Sequence, residues 1–159
     1  RRSEADRALM PRTGAVAAVC PTSNVVRCRG FVDYLAADAA GMGYGLASDV
    51  GGGTSFSPFK TMLAAYCVAR EGQTKPGVSL KPSQLWWQHT AGAAQALGLQ
   101  GVVGNLQPGC EADFVVLNPQ ATPLLARRTD QAKGLEELLF ALIVLGDERV
   151  VTRTVIASR

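Results

Sequence analysis

Tyr44-Gly45-Leu46-Ala47-Ser48-Asp49-Val50-Gly51-Gly52-Gly53-Thr54-Ser55 joins an apolar, strand-like run to a lone carboxylate and then to three glycines. Strands of a (β/α)8 barrel end in this way, with functional side chains at the C-terminal end and a loop that bends sharply away from the ligand. Gly51, Gly52 and Gly53 supply the bend. Asp49 is therefore a candidate catalytic acid or base, although the same pattern also suits an aspartate that caps a turn or the next helix. A further use of the stretch is a nest of amides from Gly51 to Thr54 around a small anion, which Asp49 would oppose.

The surrounding chain has the texture of a parallel α/β layer. Ser3 to Thr13 reads as the end of a helix stopped by Gly14, with Ala5, Leu9 and Met10 on one face. Ala15 to Cys20 is a continuous apolar run that fits a strand buried on both faces and left at Pro21. Phe31, Leu35 and Ala39 recur at helical spacing before Gly41, and Tyr44 to Ser48 is the next strand. Pro58 suits a first helical turn, and the stripe Phe59, Met62, Leu63, Tyr66 and Cys67 follows it. Glu71 to Lys81 reads as a polar loop, and Ser83 to Leu97 as one helix with Leu85, Trp86, Ala93 and Leu97 on its apolar side.

After Leu99 the pattern changes. Gly104 to Gly109 is rich in turn residues, Phe114 to Leu117 is a short β-branched strand, and Gln120 to Gly134 is irregular. Leu135 to Leu145 is an apolar helix, and Arg149 to Ile156 alternates like a half-buried edge strand. The expected fold class is α/β: residues 1–99 form the C-terminal part of a TIM-like barrel, and residues 100–159 form part of a small β-sandwich module. The chain has 159 residues, against about 250 for a complete barrel. That length, with Arg1 in place of Met, suits a segment of something longer.

Composition narrows the functions. The chain is 47% hydrophobic and 18% charged, which is ordinary for a globular protein and unlike a disordered one. A formal charge of +3, with Arg1-Arg2, Arg27/Arg29 and Arg127-Arg128 not interleaved with aromatics, argues against nucleic acid. The apolar run from Leu138 to Leu145 is far short of the roughly 18 residues of a membrane span. Cys20, Cys28, Cys67 and Cys110 make no Cys-x-x-Cys pair, so reduced thiols in a cytoplasmic protein are expected. His89, the sole histidine, is assigned a surface or packing role. Trp86 and Trp87 cannot share a helix face, so one belongs to the core and the other to an interface. Thr54 or Ser55 is a candidate cap for the helix near Pro58.

Two motifs carry a family resemblance. Gly104-Asn105-Leu106-Gln107-Pro108-Gly109-Cys110-Glu111-Ala112-Asp113-Phe114-Val115-Val116-Leu117 resembles the strand by which metal-dependent amidohydrolases return from the barrel to their β-sandwich, and there Asp113 closes a turn. Cys20-Pro21-Thr22-Ser23-Asn24, followed by Ser48-Asp49-Val50-Gly51-Gly52-Gly53-Thr54-Ser55, resembles the paired strand ends of the guanine deaminases in that superfamily. The likeness extends through Thr61-Met62 and Ala121 to Arg128.

The resemblance implies a zinc-dependent deamination of guanine to xanthine and ammonia. One zinc ion lowers the pKa of a bound water to about 7, with Asp49 as a metal ligand and as the group that takes the water's proton. Ser23 or Asn24 would bond to backbone or substrate, or would only shape a turn. Arg27 and Arg29 stand where relatives carry small or apolar residues. The family's metal histidines and its proton-shuttling glutamate match nothing here. The expectation is that this chain alone binds zinc poorly, is inactive, and associates through exposed sheet edges, whereas the complete protein forms a homo-oligomer. The alternatives are a non-catalytic remnant serving as an interaction module, or a deaminase of another aminopurine or a pterin.

Overall fold

A computed structural model describes residues 3–71 and 77–156. The chain falls into two compact units, Arg1–Leu80 and Lys81–Arg159.

In the first unit, α1 (Glu4–Thr13) has its own N-terminus and is not merely the tail of a helix. Ser3 and Asp6 form a reciprocal capping box, with Ser3 Oγ accepting from the Asp6 amide at 3.1 Å and Asp6 Oδ2 accepting from the Ser3 amide at 2.9 Å. Gly14, at φ 68°, ends it as expected. β1 (Ala17–Val19) lies parallel to β2 (Tyr44–Leu46), with Ala17, Ala18 and Val19 opposite Tyr44, Gly45 and Leu46. β2 is buried throughout, but Ala18 of β1 is exposed, so the apolar run hides one face and not both.

The crossover between the strands contains α2 (Pro21–Val26) and α3 (Tyr34–Ala39). Pro21 does not merely end the strand; it opens a helix at N1, where its missing amide proton costs nothing. Asp33 caps α3 by accepting from the Ala36 amide at 3.0 Å, which delays the helix to Tyr34. Its buried residues are Tyr34 and Ala37, while Leu35 and Ala39 are exposed, so the expected four-residue stripe faces out. α4 (Pro58–Glu71) packs on α2, and its buried face holds Phe59, Met62, Ala65 and Ala69. Cys67 is exposed, against expectation, because that face lies at 3.6-residue spacing one step away from it.

In the second unit the expected long helix is two: α5 (Pro82–His89) and α6 (Ala91–Ala96), broken at Thr90, whose backbone leaves the helical region at φ −127°, ψ −107°. Leu97 is exposed. Trp86 donates to the Leu139 carbonyl at 3.3 Å, whereas Trp87 is 46% exposed. β3 (Phe114–Leu117) pairs antiparallel with β4 (Val151–Val155), with a register shift between Val116 and Leu117. Between them run α7 (Pro123–Thr129), α8 (Leu135–Leu145) and a short 3-10 turn.

The supposedly irregular segment therefore holds α7, capped by Thr122 Oγ, which accepts from the Leu125 amide at 3.3 Å. Leu125 is fully buried there, a contribution of about 1.5–3 kcal/mol. β4 is exposed except near Val155, and so is less covered than its alternation suggested. The α/β class holds. No described helix is long and apolar enough to cross a membrane.

Candidate active site at the ends of two parallel strands

The parallel ladder of β1 and β2 is prolonged by the Ala47 amide, which donates to the Val19 carbonyl at 2.9 Å. Two residues on, the chain leaves the sheet at Asp49, whose φ of 48° is left-handed. For a residue with a Cβ this conformation costs roughly 1–2 kcal/mol, and aspartate is one of the few types that visits it. The carbonyl of Asp49 then accepts from the amide of Gly52 at 2.9 Å and from that of Gly53. These two amides are spent inside the turn, so an anion-binding nest from Gly51 to Thr54 is not formed.

Gly52 and Gly53 are required by close approach. A Cβ on Gly53 would collide with the Ser48 carbonyl oxygen and would lie 3.1 Å from Thr22 Oγ1. A Cβ on Gly52 would lie 2.8 Å from Asp49 Oδ2 and 3.4 Å from Arg27 Nη1. Asp49 and Arg27 therefore flank Gly52, although they form no ion pair.

The motif after β1 supplies the other wall. Pro21 starts α2 immediately at the strand end, so Ser23 sits in the first turn of the helix. Its hydroxyl donates to Asp49 Oδ2 at 2.6 Å, and the serine is only 3% exposed. Asp49 itself is exposed, and among the described residues no hydrogen bond reaches its Oδ1. Thr22 Oγ1 is buried without a hydrogen-bond partner. Burial, and then the nearby charge of Asp49, push the Cys20 thiol above its ordinary range. It is held as a neutral thiol and is a poor nucleophile or metal ligand.

Of the residues singled out in the sequence, the fold brings Asp49, Ser23 and Arg27 together. Asn24 contributes its carbonyl, which accepts from the Arg29 amide at 2.9 Å. Ser55 accepts from the Ser57 amide at 3.0 Å and so braces the entry to α4 from ahead of the helix. His89 lies on α5 in the other unit, half-buried, with its pKa lowered by desolvation and its Nε2 without a partner. Sequence reading alone did not find the buried Thr22 hydroxyl beside Gly53. The signal available was the motif itself, since a proline directly after a strand starts a helix and aims its first turn at the strand end.

The donor chemistry fits one oxygen ligand for a metal. Asp49 is a carboxylate with one oxygen fixed and the other uncommitted, whereas a zinc site takes about three or four protein ligands. Among the described residues no group of three or more histidine, cysteine, aspartate and glutamate side chains could hold an ion. The described residues do not close a metal site by themselves.

The sequence profile of the Amidohydrolase family matches residues 4–159. The chain is 36% identical to guanine deaminase of Escherichia coli over 150 residues, which are 94% of this chain and 33% of that protein. It is 40% identical to a probable guanine deaminase of Deinococcus radiodurans over 127 residues, 80% of this chain and 29% of that protein. The solved structure of the E. coli guanine deaminase superposes with a TM-score of 0.94 at 34% identity, covering 100% of this chain and 36% of that one. The chain thus spans about a third of the length of the relatives it matches.

Proposed function

This chain belongs to the amidohydrolase family, and from that premise we propose that it is the C-terminal portion of a guanine deaminase. In this reading residues 1–99 are the last strands and helices of a (β/α)8 barrel, and residues 100–159 belong to the composite β-sandwich. The observation that carries it is Asp49, placed at the end of a buried parallel strand in a left-handed turn, with one carboxylate oxygen clamped by Ser23.

The reaction replaces the amino group of guanine by oxygen from water, giving xanthine and ammonia. Zinc, when bound, supplies a water of lowered pKa. Asp49 offers one oxygen ligand and accepts the proton that the attacking water gives up, at Oδ1, the oxygen Ser23 leaves open. Gly52 keeps the space beside the carboxylate clear. The remaining metal ligands, the groups that grip the purine and the acid that protonates its ring come from outside this chain, so the chain alone binds zinc weakly and is inactive. The complete protein works in the cytoplasm as a homo-oligomer; four free cysteines agree with a reducing compartment.

A second reading, a deaminase of another aminopurine or a pterin, rests on the guanidinium of Arg27 beside Gly52, which adds charge and bulk next to Asp49.

The test uses the complete gene product carrying this sequence, loaded with zinc and assayed for guanine consumption, ammonia and bound metal. Guanine is turned over, and Asp49→Ala lowers kcat by about 10²–10⁴-fold. Failure of the zinc-loaded protein to consume guanine, or full turnover by Asp49→Ala, would sink the reading. Turnover of a pterin or another aminopurine in preference to guanine would select the second.

A further inference from the structure

A carboxylate at a strand end, followed by three glycines, is free to turn about its side-chain bonds unless something fixes it. Here two things do. Ser23 Oγ donates to Asp49 Oδ2 at 2.6 Å, at the short end expected for a hydroxyl on an ionised carboxylate. The missing side chain of Gly52 leaves that oxygen its room, because a Cβ there would approach the same Oδ2 to 2.8 Å.

The donor is well anchored. Ser23 is 3% exposed and sits in the first turn of a helix begun by Pro21, just after the strand paired with β2, which precedes Asp49. Its single hydroxyl proton is committed to Oδ2, so Oδ1 is the oxygen left with its lone pairs open.

We propose that Ser23 is a positioning residue for Asp49: its hydroxyl decides which carboxylate oxygen faces the metal and the attacking water, and holds that oxygen at one angle. The proposal rests on the metal-ligand role of Asp49 given above. In this role Ser23 acts through Asp49, its hydrogen-bond partner. Partners that orient metal ligands from behind are typically worth about 10–100-fold in metal affinity or activity.

The experiment compares wild type, Ser23→Ala, Ser23→Thr, Gly52→Ala and Asp49→Ala in the complete, zinc-loaded gene product. Two quantities are followed: the rate at which zinc is lost to a chelator, and kcat against KM for guanine. Ser23→Ala should speed zinc loss and lower kcat by about 10–100-fold each with KM little changed, and Ser23→Thr, which keeps the hydroxyl, should recover most of both.

Gly52→Ala, crowding the same Oδ2 with Ser23 intact, should reproduce the Ser23→Ala behaviour; if Ser23→Ala does not fold, this variant decides. Wild-type zinc retention and kcat in Ser23→Ala, or in Gly52→Ala where that decides, while Asp49→Ala loses both, overturn the positioning role and leave Asp49 its own. If Asp49→Ala also loses neither, the reading of Asp49 as a ligand falls, and the positioning role with it.

Discussion

The phenol of Tyr44 donates to Asp38 Oδ1 at 2.8 Å and so ties the first residue of β2 to α3. The neighbouring Tyr34, whose ring centroid is 5.9 Å away, buries its hydroxyl without a hydrogen-bond partner. Two similar side chains thus carry opposite polar accounts, and burial holds the Tyr34 phenol well above its ordinary pKa. Tyr44→Phe leaves Asp38 without its donor and should cost about 1 kcal/mol, whereas Tyr34→Phe removes an unsatisfied group and should be neutral or stabilising by up to about 1 kcal/mol. Urea denaturation of the two variants checks this. A larger loss from Tyr34→Phe than from Tyr44→Phe would contradict it.

The glycines after Asp49 differ in what they tolerate. Gly51 has a φ of 103° with open space where a side chain would go, so an alanine there meets only backbone strain. Gly53 faces the Ser48 carbonyl, and its own amide donates to the Asp49 carbonyl, so an alanine must displace backbone on both sides of the catalytic candidate. Gly53→Ala should destabilise by about 1–3 kcal/mol through overpacking. Gly53→Ala should also remodel the Asp49 turn, whereas Gly51→Ala keeps it. Backbone amide shifts of residues 48–53 distinguish the two outcomes.

Much of the first unit was legible because its signals are local. Gly14 and Pro58 stand at the helix boundary positions their backbones favour, and Tyr44 to Leu46 is apolar enough to read as a buried strand. The errors came where one residue type serves two purposes. Pro21 and Pro123 both open helices, where the sequence suggests a strand exit and an irregular segment, since proline alone does not distinguish leaving a strand from entering a helix.

Thr90 breaks a helix, and the nearby Gly92 lies inside α6 and not at the break. The strand-end position of Asp49 was readable from its own stretch. Its bond to Ser23 was not, because 26 residues separate the two and only the parallel register of β1 and β2 brings them together.

In the second unit, Glu136 in the first turn of α8 reaches across 53 residues to Ser83, accepting from its amide at 3.0 Å and from its hydroxyl. Lys81, the N-cap of α5, makes no side-chain capping bond, so Glu136 supplies the acceptor that helix lacks. The Ser83 hydrogen bonds hold the Glu136 carboxyl below its ordinary pKa. The stabilisation is therefore present above the unfolded value of about 4.3 and is lost as pH falls through the folded one. Glu136→Ala should lower the melting temperature at neutral pH, Glu136→Gln should recover part of the loss, and the gap between wild type and Glu136→Ala should close at low pH. A gap that persists unchanged in acid would show that the carboxylate is not the capping group.

His89 supplies the remaining pH test, as the sole histidine of the chain. Desolvation lowers its folded pKa, and its buried Nε2 has no hydrogen-bond partner. In the unfolded chain the imidazole titrates near its ordinary value of about 6.5. Between the two values the unfolded state binds more protons, so stability rises with pH; the contribution is complete above about 6.5 and is lost as pH falls through the folded value. The raised Cys20 thiol and the lowered Glu136 and Asp147 carboxyls change charge outside this window and do not mask it. Urea midpoints measured between about pH 7.5 and about pH 5.5 should fall in the wild type and fall less in His89→Asn. The variant leaves nothing to protonate at that position. Curves that run parallel across this range would mean that the histidine is protonated equally in the folded and unfolded chains, contrary to its burial on α5.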